Sequence, residues 1–495
     1  MHDYGFWSIL PPILAIILAI RTKQVFLSLL LGIWLGWVII NNGNLFIGSL
    51  ATIQALVDVF KDEGSTKTIM FSALVGALIA FIQRSGGVDG FIIKVSAYLE
   101  QMEEQNQGRN VVMVQFFAAL TGLLIFVESS ISVLTVGSLY RPIFDKLKIS
   151  REKLAYLADS SSAPSCILIP FNAWGAYIMS LLALEGFENP FAVLFQSLPY
   201  NFYPILAIIT VFLIVFSRKD FGPMKKAELR IRNEGKFLSD NAQPVISAEI
   251  SLMEMKEGIR PRSMNMILPI LTMVLMMPVM LIYTGWNSVL PAEYQNLGQH
   301  LFLSISRGSG SSAVLYAVIS SLLVAMIMYK SQGIMKVGEM IELGLKGISG
   351  LIPLALLMLL AFAISNVCKN LGTGIYVAET SRTWISPGLV PFIVFIVSCF
   401  IAFSTGTSWG TFAIMISISV PMAEALDTNV YLTIAAALGG GIFGDHCSPI
   451  SDTTIISSMA SATDHIDHVK TQLPYALIPG FITAILYLII GFSFS

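Results

Sequence analysis

Apolar residues run along this chain in blocks that are separated by short polar turns. Blocks of about 17–25 residues are long enough to cross the roughly 30 Å hydrocarbon core of a bilayer as helices. The pattern predicts helices, several of them short or broken, near 6–20, 24–41, 65–83, 110–127, 129–145, 151–167, 170–186, 198–216, 264–285, 311–329, 346–367, 385–403, 408–425, 428–444, 446–462 and 472–493. Because no basic segment precedes it, we interpret the first block as a retained span and not a signal peptide.

Composition supports a membrane protein. Hydrophobic residues make up 55% of the 495 residues and charged residues only 12%, against about 25% charged in a typical soluble domain. The net charge of −2 gives no indication of a nucleic-acid partner. The four cysteines lie in or beside apolar blocks without a CxxC pair, so we expect neither a disulfide framework nor a cofactor. The lipid bilayer is the expected surrounding.

One long polar stretch, 217–262, separates two groups of apolar blocks and carries ten of the 29 Lys and Arg residues. By the positive-inside rule it is cytoplasmic. The basic clusters at 21–23 and 141–153 fit the same side, which places the N-terminus outside. We therefore expect two membrane domains, 1–216 and 263–495, joined by a cytoplasmic linker over 217–262.

The two halves resemble each other. FVESSIS at 126–132 has a counterpart in FSTGTSWG at 403–410, and DSSSAPS at 159–165 has one in DHCSPIS at 445–451. The nearly constant offset between the matched stretches indicates an internal repeat.

The charges of equivalent loops indicate how the halves are related. The first-half connection over 141–153 is basic, whereas its second-half equivalent, 421–429, contains no Lys or Arg. Equivalent loops on opposite sides of the membrane are typical of inverted-topology repeats, an architecture of secondary transporters. A membrane enzyme is disfavoured, because no nucleophile–base pairing is present.

Four polar stretches interrupt the apolar blocks: 128–132, 159–165, 404–411 and 439–454. Ionisable residues at such depth are costly and are usually functional, and Gly and Pro break helices so that backbone carbonyls become free. Carboxylates, hydroxyls and carbonyls are the oxygen ligands that a small hard cation requires. A close-packing surface remains an alternative for 404–411, and the cluster at 464–468 fits a polar helix cap better than a metal site.

Within these stretches we expect Asp445 and Asp452 to be the main ligands and proton carriers, with Asp159 and Glu128 forming the opposing half of the cavity. His446 either orients Asp445 or hydrogen-bonds across helices. Other polar side chains of the first-half stretches complete the predicted site: Ser161 and Asn172.

The stretch GDHCSPISDTTIISSMASATDHIDHVKTQLPYAL, preceded by FSTGTSWGT and paired with LADSSSAPSCILIPFNAWG, resembles the NhaC-type sodium/proton antiporters. The resemblance covers essentially the whole chain. It implies the ion-transporter superfamily fold: an all-α polytopic protein with discontinuous helices and re-entrant hairpins, built as a scaffold and an elevator-like transport domain, commonly dimeric. It also implies a bacterial inner-membrane location.

The positions that match the family's motifs are ion- or substrate-binding candidates: Ser404, Thr405, Thr407, Ser408, Asp445, His446, Ser448, Ser451 and Asp452. Among them Asp445, Asp452 and Thr405 are the expected Na+ ligands. The predicted function is Na+/H+ antiport. The alternative is Na+- or H+-coupled transport of a small organic acid or amino acid, since the family also includes malate and lactate exchangers.

Overall fold

The computed structural model describes residues 4–22, 24–91, 93–94, 107–126, 128–240, 242, 255–294, 296–381 and 386–493. Within these residues the regular elements are helices. They are α1 (Leu10–Thr22), α2 (Val25–Ile40), α3 (Leu45–Val59), α4 (Glu63–Arg84), α5 (Gln107–Leu124), α6 (Ser129–Lys146), α7 (Arg151–Leu168), α8 (Ala173–Leu184), α9 (Pro190–Ser197), α10 (Phe202–Ser217), α11 (Gly222–Glu234), α12 (Met264–Gly285), α13 (Leu297–Arg307), α14 (Gly310–Ser331), α15 (Val337–Leu371), α16 (Thr373–Ser381), α17 (Val390–Thr405), α18 (Ser408–Ala425), α19 (Val430–Cys447), α20 (Asp452–Ala460) and α21 (His465–Ser493).

Seven helical segments in the described residues are long and apolar enough to cross a membrane: Glu63–Arg84, Phe202–Glu234, Met264–Ser288, Gly310–Ser331, Val337–Leu371, Pro387–Thr405 and His465–Ser493. The pair α7 and α8 adds an eighth if it is one span bent by 41°. Large apolar side chains are exposed at helical spacing on the outer faces, for example Leu271, Leu275 and Val279 on α12. Such a stripe faces lipid. The prediction of an all-helical, multi-pass protein is confirmed.

One group of helices packs around α4 and α15, which lie close together. A Cβ on Gly76 would lie 2.2 Å from the carbonyl oxygen of Gly347, so only glycine permits this approach. α14 packs against α4 and α12, and α2 packs against α15. Small residues at the contact allow two membrane helices to approach closely.

The polar stretches predicted from the sequence lie in a second group of helices, and their packing recurs in the two halves. In the first half α5, α6 and α10 all pack against α7; in the second half α17, α18 and α21 all pack against α19. Helices of the two halves also contact each other: α6 contacts α20, and α8 contacts α18.

Breaks in these helices follow local sequence. α7 ends at Leu168, and after the break Asn172 caps α8 by accepting a hydrogen bond from the Gly175 N–H at 3.0 Å. α17 ends at Gly406, whose φ of +66° suits glycine. α19 ends before Pro449, since proline disfavours helical backbone in the residue that precedes it. The breaks at Gly406 and around Pro449 lie where the sequence predicted them. The prediction was wrong for 159–165, which is helical within α7 although it contains Pro164, and for 439–444, which is helical within α19.

Candidate functional site

The break between α19 and α20 carries two of the predicted carboxylates. Asp445 lies in the last turn of α19, and its Oδ2 accepts a hydrogen bond from the Ser408 hydroxyl at 3.1 Å. Its Oδ1 is buried and has no hydrogen-bond partner among the described residues. Asp452 opens α20, is exposed, and its Oδ1 accepts from the Thr453 N–H at 2.7 Å. The Ser448 hydroxyl donates to the Phe403 carbonyl at 2.7 Å and so joins this break to α17.

Asp159, near the middle of α7, is fully buried. Its Oδ2 accepts from the Gln472 amide at 2.8 Å and from the Thr454 hydroxyl at 3.1 Å. In the described part of the chain its Oδ1 has no partner. Asp159 interacts electrostatically with Asp445 and Asp452. The structure therefore brings together three aspartates that the sequence predicted, from three different helices.

His446 connects three helices at this point. Its Nε2 lies 2.8 Å from the Ser160 hydroxyl of α7, and its Nδ1 lies 2.7 Å from the Tyr203 hydroxyl of α10. Of the two interpretations of His446, the structure shows hydrogen bonding across helices.

Among the described residues, no Lys or Arg forms an ion pair with any of the three aspartates. The ion pairs between described residues involve other carboxylates, such as Lys153 with Asp220 at 2.8 Å and Arg230 with Glu152 at 2.6 Å. No group of three or more His, Cys, Asp or Glu in the described residues is close enough to hold a metal. A cation at this point would therefore need hydroxyl and carbonyl oxygens as well as carboxylates.

The first-half break lies around Glu128, between α5 and α6. Glu128 is half-buried and interacts electrostatically with Cys166. The Asn172 amide donates to the Phe126 carbonyl at 2.9 Å, which joins the two first-half breaks. The Ser161 hydroxyl donates within α7, to the Leu157 carbonyl at 2.7 Å. Asn172 and Ser161 thus have structural hydrogen bonds in this conformation.

The hydroxyl residues of the α17–α18 break differ in position. Ser408 reaches Asp445, whereas the Thr405 hydroxyl donates to the Ile401 carbonyl of its own helix at 2.8 Å. Thr405 and Thr407 line a small void against α1 and α2. Ser404 is half-buried, and Ser451 pairs its hydroxyl with that of Thr453 at 3.1 Å.

Four polar side chains around the aspartates were not named as site residues. Ser160 and Thr454 lie within the predicted polar stretches, whereas Tyr203 and Gln472 lie outside them. Gln472 had a detectable signal, because it is a lone amide at the start of an otherwise apolar block. Tyr203 had none, since a tyrosine near a membrane–water interface is ordinary.

Comparison with known proteins gives a consistent result. The model of the Na+/H+ antiporter family matches residues 165–492. A Haemophilus influenzae protein described as uncharacterized is 32% identical over 503 residues, covering 99% of this chain and 91% of that protein. The malate-2H+/Na+-lactate antiporter of Bacillus subtilis is 32% identical over 149 residues, covering 27% of this chain and 32% of that antiporter.

Among solved structures, the YdaH transporter of Alcanivorax borkumensis has a similar fold, with a TM-score of 0.54 at 14% identity over 90% of this chain and 89% of that one. The family match confirms the resemblance to sodium/proton antiporters. The family is one of multi-pass membrane transporters, and the fold is shared with a solved structure of that kind.

Proposed function

The chain belongs to the Na+/H+ antiporter family, and from that premise we propose that it exchanges Na+ for protons at Asp445, Asp452 and Asp159. The two buried members, Asp445 and Asp159, each keep one carboxylate oxygen without a hydrogen-bond partner in the described residues. This observation carries the proposal. A buried ionised carboxylate that has an unpaired oxygen and no counter-charge is strongly destabilising, so each of these two carboxylates requires a bound proton, a bound cation or a positive charge nearby.

The exchange follows from that requirement. When Na+ occupies the site, the aspartates are ionised, and at most two of them hold the cation together with hydroxyl and carbonyl oxygens of the breaks. When Na+ leaves, protons replace it and the buried charge is again neutralised. Because Asp445 and Asp452 interact with each other, they titrate as a coupled pair and not as independent groups.

Transport also requires the site to face each side of the membrane in turn. We propose that 1–216 and 263–495 are inverted repeats, joined by 217–262 on the cytoplasmic side, with the N-terminus outside. The packing of three helices against α7 in the first half recurs as the packing of three helices against α19 in the second, which supports this arrangement. The broken helices and hairpins would form an elevator-like transport domain that moves against a scaffold containing α4 and α15, in a homodimer in a bacterial inner membrane.

Sodium-coupled exchange of a small organic acid is the second candidate. The similarity to a malate-2H+/Na+-lactate antiporter favours it. A cavity of about 500 Å³ at the start of α4 has room for such a solute, but its lining carries Asp62, Glu63 and Glu188 against Lys67 and Arg307. A net acidic lining attracts cations more than carboxylates, so this cavity offers an organic acid no favourable charge.

The test is sodium-driven proton movement into proteoliposomes, followed with an internal pH dye. We expect a sodium-dependent pH change in the wild-type protein that Asp445→Asn abolishes. Asp145→Asn is the matched control, because it also removes an aspartate charge, but one that is paired with Arg151 at 2.9 Å.

Exchange in Asp445→Asn at the wild-type rate would overturn the assignment of the site. If the wild-type protein responds to sodium only when malate or lactate is also supplied, the organic-acid alternative replaces Na+/H+ antiport.

A further inference from the structure

A hydrogen-bonded path leads from Asp159 along the first turns of α21. Gln472 donates from one nitrogen to Asp159 Oδ2 at 2.8 Å and to the His446 carbonyl at 2.7 Å. A backbone carbonyl can only accept, so this end of the Gln472 side chain is its NH2 group. The other end is the oxygen, which lies 2.9 Å from His468 Nε2. His468 therefore carries its proton on Nε2.

The path continues to a second histidine through one hydroxyl. Ser458 Oγ lies 2.8 Å from His468 Nδ1 and 3.0 Å from His465 Nδ1. His465 Nε2 lies 2.6 Å from the Pro449 carbonyl, so this nitrogen also carries a proton. We call Ser458, His465 and His468 the His–Ser–His site. Ser458 and His468 are fully buried, and His465 is half-buried.

When both rings are neutral, the His–Ser–His site has one proton fewer than its hydrogen bonds require. Each neutral ring has its single proton on Nε2, which leaves two Nδ1 lone pairs directed at Ser458. The serine has one proton to donate, and the Thr454 carbonyl at 2.8 Å competes for it. At least one Nδ1 would then lie at hydrogen-bonding distance from the Ser458 oxygen with no proton between them. Leaving a buried acceptor unpaired in this way costs the free energy of its desolvation.

One additional proton satisfies both contacts. Nδ1–H of one ring donates to Ser458 Oγ, and the Ser458 hydroxyl donates to Nδ1 of the other ring. We propose that the His–Ser–His site is a proton-binding site that holds this additional proton on His465, and that it releases the proton when a cation occupies Asp159. His465 is the better carrier because it is half-buried, whereas His468 is enclosed.

The surrounding charges decide when the proton stays. On α21, Asp464, Asp467 and Lys470 are near in sequence. From α7, Asp159 faces His468, and Arg151 donates to the Ala462 carbonyl at 3.1 Å. From α19, His446 faces His468.

Asp159 is the one of these groups at which a cation binds and leaves in the proposed exchange. While no cation is bound, Asp159 stays ionised and attracts the proton on the His–Ser–His site, which supplies the nearby positive charge that this carboxylate requires. Bound Na+ cancels that attraction, and the proton leaves to bulk water. The inference thus rests on the proposed function and adds a proton site outside the aspartates.

The first test observes the proton directly. The chain has five histidines, so the 15N spectrum of histidine-labelled protein in lipid can be assigned by single His→Gln variants. At neutral pH without sodium we expect both ring nitrogens of His465 to be protonated, and saturating sodium to remove one of the two protons. Neutral rings at both His465 and His468 without sodium would overturn the proposal, as would an unchanged His465 signal with sodium.

The second test measures proton release from purified protein when sodium is added. We expect His465→Gln and Ser458→Ala to release fewer protons than the wild type, and His300→Gln, which changes a histidine stacked on Tyr294, to match it. Wild-type release from both variants would contradict the proposal. If proteoliposomes show no exchange while the His465 signal responds to sodium, the proton site stands and the antiport proposal falls.

Discussion

Gly406 provides the sharpest structural test of how the two second-half breaks fit together. It ends α17 with a φ of +66°, and a Cβ placed on it would lie 2.6 Å from the Ile450 carbonyl oxygen and 2.7 Å from Ile450 Cγ1. Ile450 belongs to the break between α19 and α20, beside Asp445. Gly406→Ala should therefore disturb both the stability of the protein and the site.

The expected magnitude has two parts. An L-residue in left-handed backbone costs about 1–2 kcal/mol. The contact with Ile450 is backbone, which cannot turn away, so overpacking adds about 1–3 kcal/mol. Gly372→Ala is the matched control: Gly372 ends α15 with a φ of +67°, and a Cβ there meets nothing within 4 Å. Gly372→Ala should therefore lose only the ~1–2 kcal/mol of the left-handed backbone.

The assay is reversible unfolding in mixed micelles with increasing SDS, combined with sodium-driven proton movement in proteoliposomes. We expect Gly406→Ala to lower the free energy of unfolding more than Gly372→Ala does and to slow exchange, while Gly372→Ala leaves exchange close to wild type. Equal losses of stability with normal exchange in both variants would refute the close approach of the two breaks.

Three further predictions concern other parts of the molecule. Gln472→Leu removes a charge-assisted hydrogen bond worth about 1.5–3 kcal/mol, so half-maximal exchange should need about tenfold more sodium or more; an unchanged sodium dependence would contradict this. Gly347→Ala should lower the free energy of unfolding by about 1–3 kcal/mol, because its Cβ would lie 2.3 Å from a carbonyl oxygen of α4, whereas Gly350→Ala, with nothing within 4 Å, should not; equal effects of the two would argue against the close packing. The hydrogen bonds from Arg307 lower the pKa of Glu293 to about 2 from its usual 4.5, so its stabilising contribution is present above about pH 4.5 and is lost only as the pH falls towards 2. Glu293→Gln should therefore shift the melting temperature equally at neutral and mildly acidic pH, and a shift that disappears on mild acidification would contradict the ion pair.

The sequence predicted most of the helices because the apolar blocks are set by bilayer thickness. The block near 408–425 coincides with α18, and the one near 264–285 with α12. The block near 446–462 was too long: α20 begins at Asp452, because Pro449 and the residues around it form the break. The block predicted near 346–367 was also too short, because α15 begins at Val337. The first turns of α15 carry Glu339, Glu342 and Lys346, so they do not form an apolar block.

The contacts between the site residues could be predicted from the sequence only in part. Asp159, Asp445 and Asp452 were predicted because intramembrane carboxylates are rare. Their partners Gln472 and Thr454 belong to helices whose placement against α7 depends on how the two halves cross. Thr405 was a predicted Na+ ligand that stays a prediction: its hydroxyl bonds to its own helix in this conformation. The histidines at 465 and 468 were interpreted as a helix cap, because burial of His468 cannot be inferred from a polar run.

The most direct test of the central claim is equilibrium binding of radioactive sodium to purified protein over a range of pH. We expect saturable binding that protons compete with. Asp445→Asn or Asp159→Asn should abolish it, and Asp145→Asn should leave it intact. Sodium binding by Asp445→Asn and Asp159→Asn with wild-type affinity would contradict the claim that these aspartates hold the cation.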